Sequence, residues 1–168
     1  MADSDVNLLL GITRSMMVRP YKPQELGAVL ALFHRSVHEI AARDYAPEQV
    51  SAWAPESPDI QAWSQRLASH AVFVCENQQQ IAGFAGVEAN GHLDLLYVHP
   101  TAQRRGVARA LCAQIVEWCT ARKLDCVFTE ASVTAKPFFE GCGFRVVEAQ
   151  QVQVRGVTMP NFRMWRAL

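Results

Sequence analysis

The spacing of apolar residues changes period several times along the chain, and each change marks an element. Residues 17–19, stopped by Pro20, read as a short strand. From Pro23 to Ile40 the apolar positions Leu26, Val29, Leu30, Phe33, Val37 and Ile40 recur at helical spacing, which predicts an amphipathic helix. Two shorter helices follow at 47–53 and 59–67, one opened by Pro47 and the other by the capping residue Asp59. Residues 71–76 and 80–89 flank a polar turn at 77–79 and read as a hairpin, and 92–98 is a third strand stopped by Pro100. The helical period returns from Gly106 to Arg122, with Val107, Leu111, Ile115 and Trp118 on one stripe. A buried strand at 126–129, a short helix at 135–140 and a hairpin of 144–154 with 157–165 around Arg155-Gly156 complete the pattern. No repeat or linker divides this order, so residues 16–168 are read as one domain, preceded by a poorly specified leader over 1–15. Met16 and Met17 stand directly before the first strand, so an over-annotated start is an equal reading of that leader.

Composition narrows the function classes. Sixteen basic and sixteen acidic residues in 168 cancel, which argues against a nucleic-acid or membrane partner for the surface as a whole. No apolar run approaches the roughly 20 residues of a membrane span. The five cysteines are odd in number and lack C-x-x-C spacing, so neither a disulfide framework nor a zinc site is expected. With no cationic segment or long apolar core at the start, the chain reads as cytoplasmic. His34 and His38 share a helix face at i, i+4, but no H-E-x-x-H pattern or third ligand accompanies them, and no metal is expected.

The chemistry concentrates in residues 96–110, LYVHPTAQRRGVARA. A strand ends at a proline stop, and Gln103-Arg104-Arg105-Gly106-Val107-Ala108 opens a helix. The first turn of a helix has unpaired N–H groups and the positive end of the dipole, and a glycine lets a diphosphate approach those donors. Arg104, Arg105 and Arg109 add positive charge around the same turn. The competing reading is that Gly106 and Ala108 ease packing while the arginines form a solvated face. Neither G-x-x-x-x-G-K-[ST] nor G-x-G-x-x-G is present, so the diphosphate belongs to a ligand other than those of the commoner phosphate loops.

This segment resembles motif A of the GNAT superfamily of acetyl-CoA-dependent N-acetyltransferases, [QR]-x-x-G-x-[GA] after a strand ending V-x-P. Here it reads Val98-x-Pro100 and then Gln103-x-x-Gly106-x-Ala108. The run Ala135 to Phe144, AKPFFEGCGF, is similar to the family's motif B, A-x-x-F-Y-E-K-x-G-F. The resemblance implies an α/β (α+β) fold, a mixed and mostly antiparallel sheet of about seven strands flanked by helices. It also implies acetyl-CoA as co-substrate. Its diphosphate would lie on the N–H groups of Arg104 to Ala108 and its pantetheine arm along the backbone of Leu96 and Val98, added like a strand. Gln103 and Arg109 complete the expected cofactor set. Direct attack of a primary amine in a ternary complex is expected, because no cysteine stands where a nucleophile would be needed.

His92 and Asp94 lie two apart on a strand, so their side chains share a face about 7 Å apart. An imidazole beside a carboxylate suits removal of a proton from an ammonium group, and the resemblance places His92 where other members carry a glutamate or histidine base. Two solvent-facing polar residues are the plainer alternative, and a bulge at the strand end would rotate them apart. The family's tyrosine, which protonates the leaving thiolate, corresponds here to Phe139. Ser132 and Thr134 are the nearest substitutes by sequence, ahead of Cys142 and Tyr97. The same departure leaves a class-different alternative, an acyl-CoA-binding regulatory or interaction module without turnover. The acceptor, a small-molecule or peptide amine, is expected against the early helices, with Asp44, Tyr45 and Trp53 as binding residues. The oligomeric state is open, and a homodimer is compatible with it. Charge is divided along the chain: residues 36–100 have two basic and eight acidic side chains, residues 101–168 ten and five. That division suits an anionic cofactor meeting a cationic acceptor.

Overall fold

The computed structural model describes residues 16–168, so the leader expected over 1–15 lies outside the described residues. Strand β1 (Met17–Pro20) leads through a 3-10 turn into helix α1 (Leu26–Glu39), then α2 (Pro47–Trp53) and α3 (Ile60–Ser69). Asp59 caps α3 by accepting a 2.9 Å hydrogen bond from the Ala62 amide. Strands β2 (Ala71–Asn77), β3 (Gln80–Val87) and β4 (Leu93–Val98) follow, then α4 (Val107–Ala121), β5 (Cys126–Ser132), α5 (Lys136–Gly141), β6 (Arg145–Val154) and β7 (Val157–Ala167). The periodicity places every one of these elements, with α1 beginning three residues later, β3 ending two residues earlier, α3 and β7 ending two residues later and β5 ending three residues later than expected.

The seven strands form two antiparallel sheets, ordered β1-β2-β3-β4 and β5-β7-β6. Between them, β4 and β5 are edge strands that meet at one parallel bridge, His92 to Phe128. One residue further on, Thr129 Oγ1 donates to the Leu93 carbonyl at 2.8 Å, so a side chain takes the place of a ladder bond. Past this point a cavity separates the strands. A bulge contributes to the split: Val87 pairs with Leu93 and Gly86 with Leu95, which leaves Asp94 as the extra residue and bends β4.

Alternation along the strands builds a core on each face. Val74 and Phe84 pack with Val29, Phe33 and Val37 of α1, while Cys75 and Ala85 face Val107, Leu111 and Ile115 of α4. At Gly83 the approach of α4 leaves no space for a side chain. A Cβ there would lie 2.6 Å from Val107 Cγ1 and 2.9 Å from the Tyr97 carbonyl oxygen. This contact sets the start of α4 against the end of β4. All five cysteines are free, and among the described residues no helix is long and apolar enough to cross a membrane.

Candidate active site

The split between β4 and β5 is a slot of about 210 Å³, walled by Leu96, Tyr97 and Val98 on one side and Thr129 to Ser132 on the other. Each wall is an edge strand, and an edge presents backbone donors and acceptors that a third extended segment can pair with. At one end the slot opens, past Gln103, Ala108 and Phe138, onto the turn that begins α4. Gly106 is the residue before the helix, with φ +86°, and only the Met16 methyl lies within 4 Å of where its side chain would be. Arg104 shares this left-handed region at φ 59°. Glycine thus leaves space beside the first turn of α4, and Gln103, Arg104, Val107, Ala108 and Arg109 line it. Of the nine residues expected at the cofactor, only Arg105 lines neither the slot nor this turn.

At its other end the slot meets a second cavity of about 180 Å³, walled by Tyr45, Val152, Met159 and Pro160. Trp53, Asp94, Tyr97, Glu130 and Ser132 belong to both cavities and mark the junction. Asp94 accepts two hydrogen bonds from Arg66, each 2.7 Å, and pairs with His70 Nε2 at 2.8 Å. Burial alone would raise its pKa, but the Arg66 guanidinium, seconded by His70, holds it below the usual carboxylate value. Asp94 is therefore ionised at the junction, with its charge paired to that of Arg66.

His92 and Asp94 make no contact of the kind their spacing suggested. The ring of His92 stacks on Phe128 at 5.1 Å, with Glu88 Oε2 2.6 Å from Nδ1 and Glu130 Oε2 2.5 Å from Nε2. Burial would lower its pKa, and the two carboxylates outweigh this and raise it above the ordinary imidazole value. His92 lines neither cavity, whereas Glu130 lines both and stands between the imidazole and the junction. Sequence reasoning missed Glu130 by ending β5 at Thr129. The alternation of buried Thr129, exposed Glu130 and buried Ala131 was the available signal.

Phe139 is buried between Phe138 and Phe144 and lines the slot without a hydroxyl. Ser132 Oγ accepts from the Ala135 amide at 3.0 Å, which leaves its own proton free to donate at the junction. Tyr97 is also there; burial pushes its pKa to about 12, and its hydroxyl accepts from Trp53 Nε1 at 3.2 Å. On the acceptor side, Tyr45 is buried, donating to the Pro160 carbonyl at 2.7 Å and accepting from the Val133 amide at 2.9 Å. Trp53 reaches the junction itself. Asp44 instead accepts from Thr134 Oγ1 at 2.8 Å and lies outside both cavities.

Seven strands parted between β4 and β5, beside a helix opened by glycine, define an acyltransferase. The family model described as an acetyltransferase (GNAT) domain matches residues 41–165, and the chain belongs to that family. It is 37% identical over 150 residues to the uncharacterized N-acetyltransferase YafP of Escherichia coli K12, a match that covers 89% of this chain and 95% of that protein. Its fold is similar to that of a GCN5-related N-acetyltransferase from Rhodopseudomonas palustris, with a TM-score of 0.89, 29% identity, and coverage of 92% and 96%. The PaiA N-acetyltransferase of Thermoplasma acidophilum, solved in complex with coenzyme A, shares the fold at a TM-score of 0.75 and 14% identity, over 92% and 99% of the two chains.

Proposed function

We propose that the protein transfers an acetyl group from acetyl-CoA to the primary amine of a small molecule or peptide, by direct attack in a ternary complex. One observation carries the reading: the slot runs from the glycine turn of α4 to a junction with a second cavity, and two carboxylates, Asp94 and Glu130, stand at that junction. The coenzyme A bound to PaiA supports the choice of donor. Acetyl-CoA, when bound, supplies the activated thioester.

The edge backbone at Leu96 and Val98 would pair with the pantetheine arm, and the amides from Arg104 to Ala108 would hold the diphosphate, with Arg104 and Arg109 adding charge. Arg105 is left with a backbone role. Asp94, kept ionised by Arg66, draws the acceptor ammonium to the junction, and the rings of Trp53 and Tyr45 flank it. Glu130 takes the ammonium proton and shares it with His92, so the base is the carboxylate and imidazole together. Ser132 donates a hydrogen bond to the departing thiolate in place of the missing tyrosine, and the thiolate takes its proton from water. A second reading, a module that binds acyl-CoA without turnover, has Phe139 as its support.

Thiol release from acetyl-CoA in the presence of polyamines, arylamines, amino acids and peptides separates the two. Acceptor-dependent release is expected. Calorimetric binding of acetyl-CoA without release for any amine would favour the module.

A further inference from the structure

The pair His34 and His38 on α1 is left unused by the acetyl-transfer site. Sequence alone offers it no third partner. The fold supplies one: the loop after α2 brings Glu56 across to the same face, and one ligand atom from each of the three side chains lies within 4.8 Å of the other two. Glu56 Oε1 is 3.2 Å from His34 Nε2, and the two rings lie 4.0 Å apart, inclined by 20°. His38 is held by its Nε2, 2.7 Å from the Ala54 carbonyl oxygen. A carbonyl only accepts, so that nitrogen carries the proton and Nδ1 keeps the lone pair. A ligating histidine is commonly oriented in this way, by a bond from its other nitrogen.

We propose that His34, His38 and Glu56 form a binding site for a divalent transition ion of the zinc class. Two imidazoles and one carboxylate are a donor set suited to Zn²⁺, with water in the fourth position. The neighbouring cation, Arg35, is engaged elsewhere, donating to Glu39 at 2.6 Å and lying 2.8 Å from His99. His92 does not compete as a second such site, because Glu88 and Glu130 contact its two different nitrogens. Among the described residues, no other three such side chains converge. An ion here ties α1 to the segment that begins with Ala54, the residue after Trp53, and so braces the wall shared by both cavities.

Calorimetric titration of the chelator-stripped full chain with ZnCl₂ tests the site, and Co²⁺ reports its geometry through visible absorption. One equivalent bound with a Kd of about 10 µM or tighter is expected. Glu56→Gln, in which the altered side chain is 83% exposed, leaves the fold intact and is expected to weaken binding by more than the roughly tenfold that loss of a supporting partner costs. His34→Gln is expected to do the same, with thermal melting checking that the variant folds. No binding below about 1 mM overturns the proposal. So does binding whose affinity and Co²⁺ spectrum are unchanged in both variants, which would place the ion on cysteine thiolates or other groups.

Discussion

Glu130 Oε2 lies 2.5 Å from His92 Nε2, and Glu88 Oε2 lies 2.6 Å from the other ring nitrogen, so one imidazole joins a carboxylate at the cavity junction to a second, partly exposed one. Removing the imidazole leaves Glu130 at the junction as a weaker base. His92→Ala is expected to lower kcat/KM by about 10², with little change in acetyl-CoA affinity. Wild-type turnover in that variant would remove His92 from the chemistry.

The same chain of groups sets a pH dependence. Amine deprotonation needs the imidazole free of its proton, and the two carboxylates raise its pKa above the ordinary 6.5. Activity therefore climbs as pH passes that raised value. Glu88→Gln removes one source of the increase, and the acid limb of the kcat/KM profile is expected to move to lower pH. A limb that stays in place, or moves upward, contradicts the assignment.

Gly106 tests the phosphate turn. Its φ of +86° strains any side chain, and nothing but the Met16 methyl fills the space a Cβ would enter. Gly106→Glu puts bulk and like charge where a diphosphate would lie, and calorimetry is expected to show acetyl-CoA binding abolished. Retained affinity would move the nucleotide elsewhere.

Gly83 tests the packing that holds this turn in place. Gly83→Ala forces a methyl against Val107 and the Tyr97 carbonyl, and an overpacking cost of about 1–3 kcal/mol is expected in denaturant melts. Unchanged stability would show that α4 yields easily there.

Asp94 is expected to stabilise the fold in a pH-dependent way. Its native pKa lies below the ordinary 3.8, so the contribution is present above that value and is lost as pH falls through the depressed one. Asp94→Asn should cost about 1–2 kcal/mol at pH 7, low in the range for charged hydrogen bonds because the Arg66 side chain is partly exposed. The difference between variant and wild type should close on acidification below 3.8. A constant difference across that range would assign the loss to shape rather than charge.

Local pattern by itself determined the element order, the strand stop at Pro100 and the glycine-opened α4. Each of these depends on residues a few positions apart, where helix and strand periods and backbone freedom act directly. It also singled out His92, Asp94 and the His34–His38 pair as polar side chains in unusual positions. What those side chains do was decided by partners distant in the chain. Arg66 is 28 residues from Asp94, Glu130 is 38 from His92, and Glu56 is 22 from His34. The bulge at Asp94 and the parting of β4 from β5 are likewise properties of strand pairing, which no single strand carries. Hydrogen bonds and charge interactions act over a few ångströms in space whatever the separation along the chain. The site's protonation states and the carboxylate partner of the His34–His38 pair therefore emerge only when tertiary packing brings those groups together.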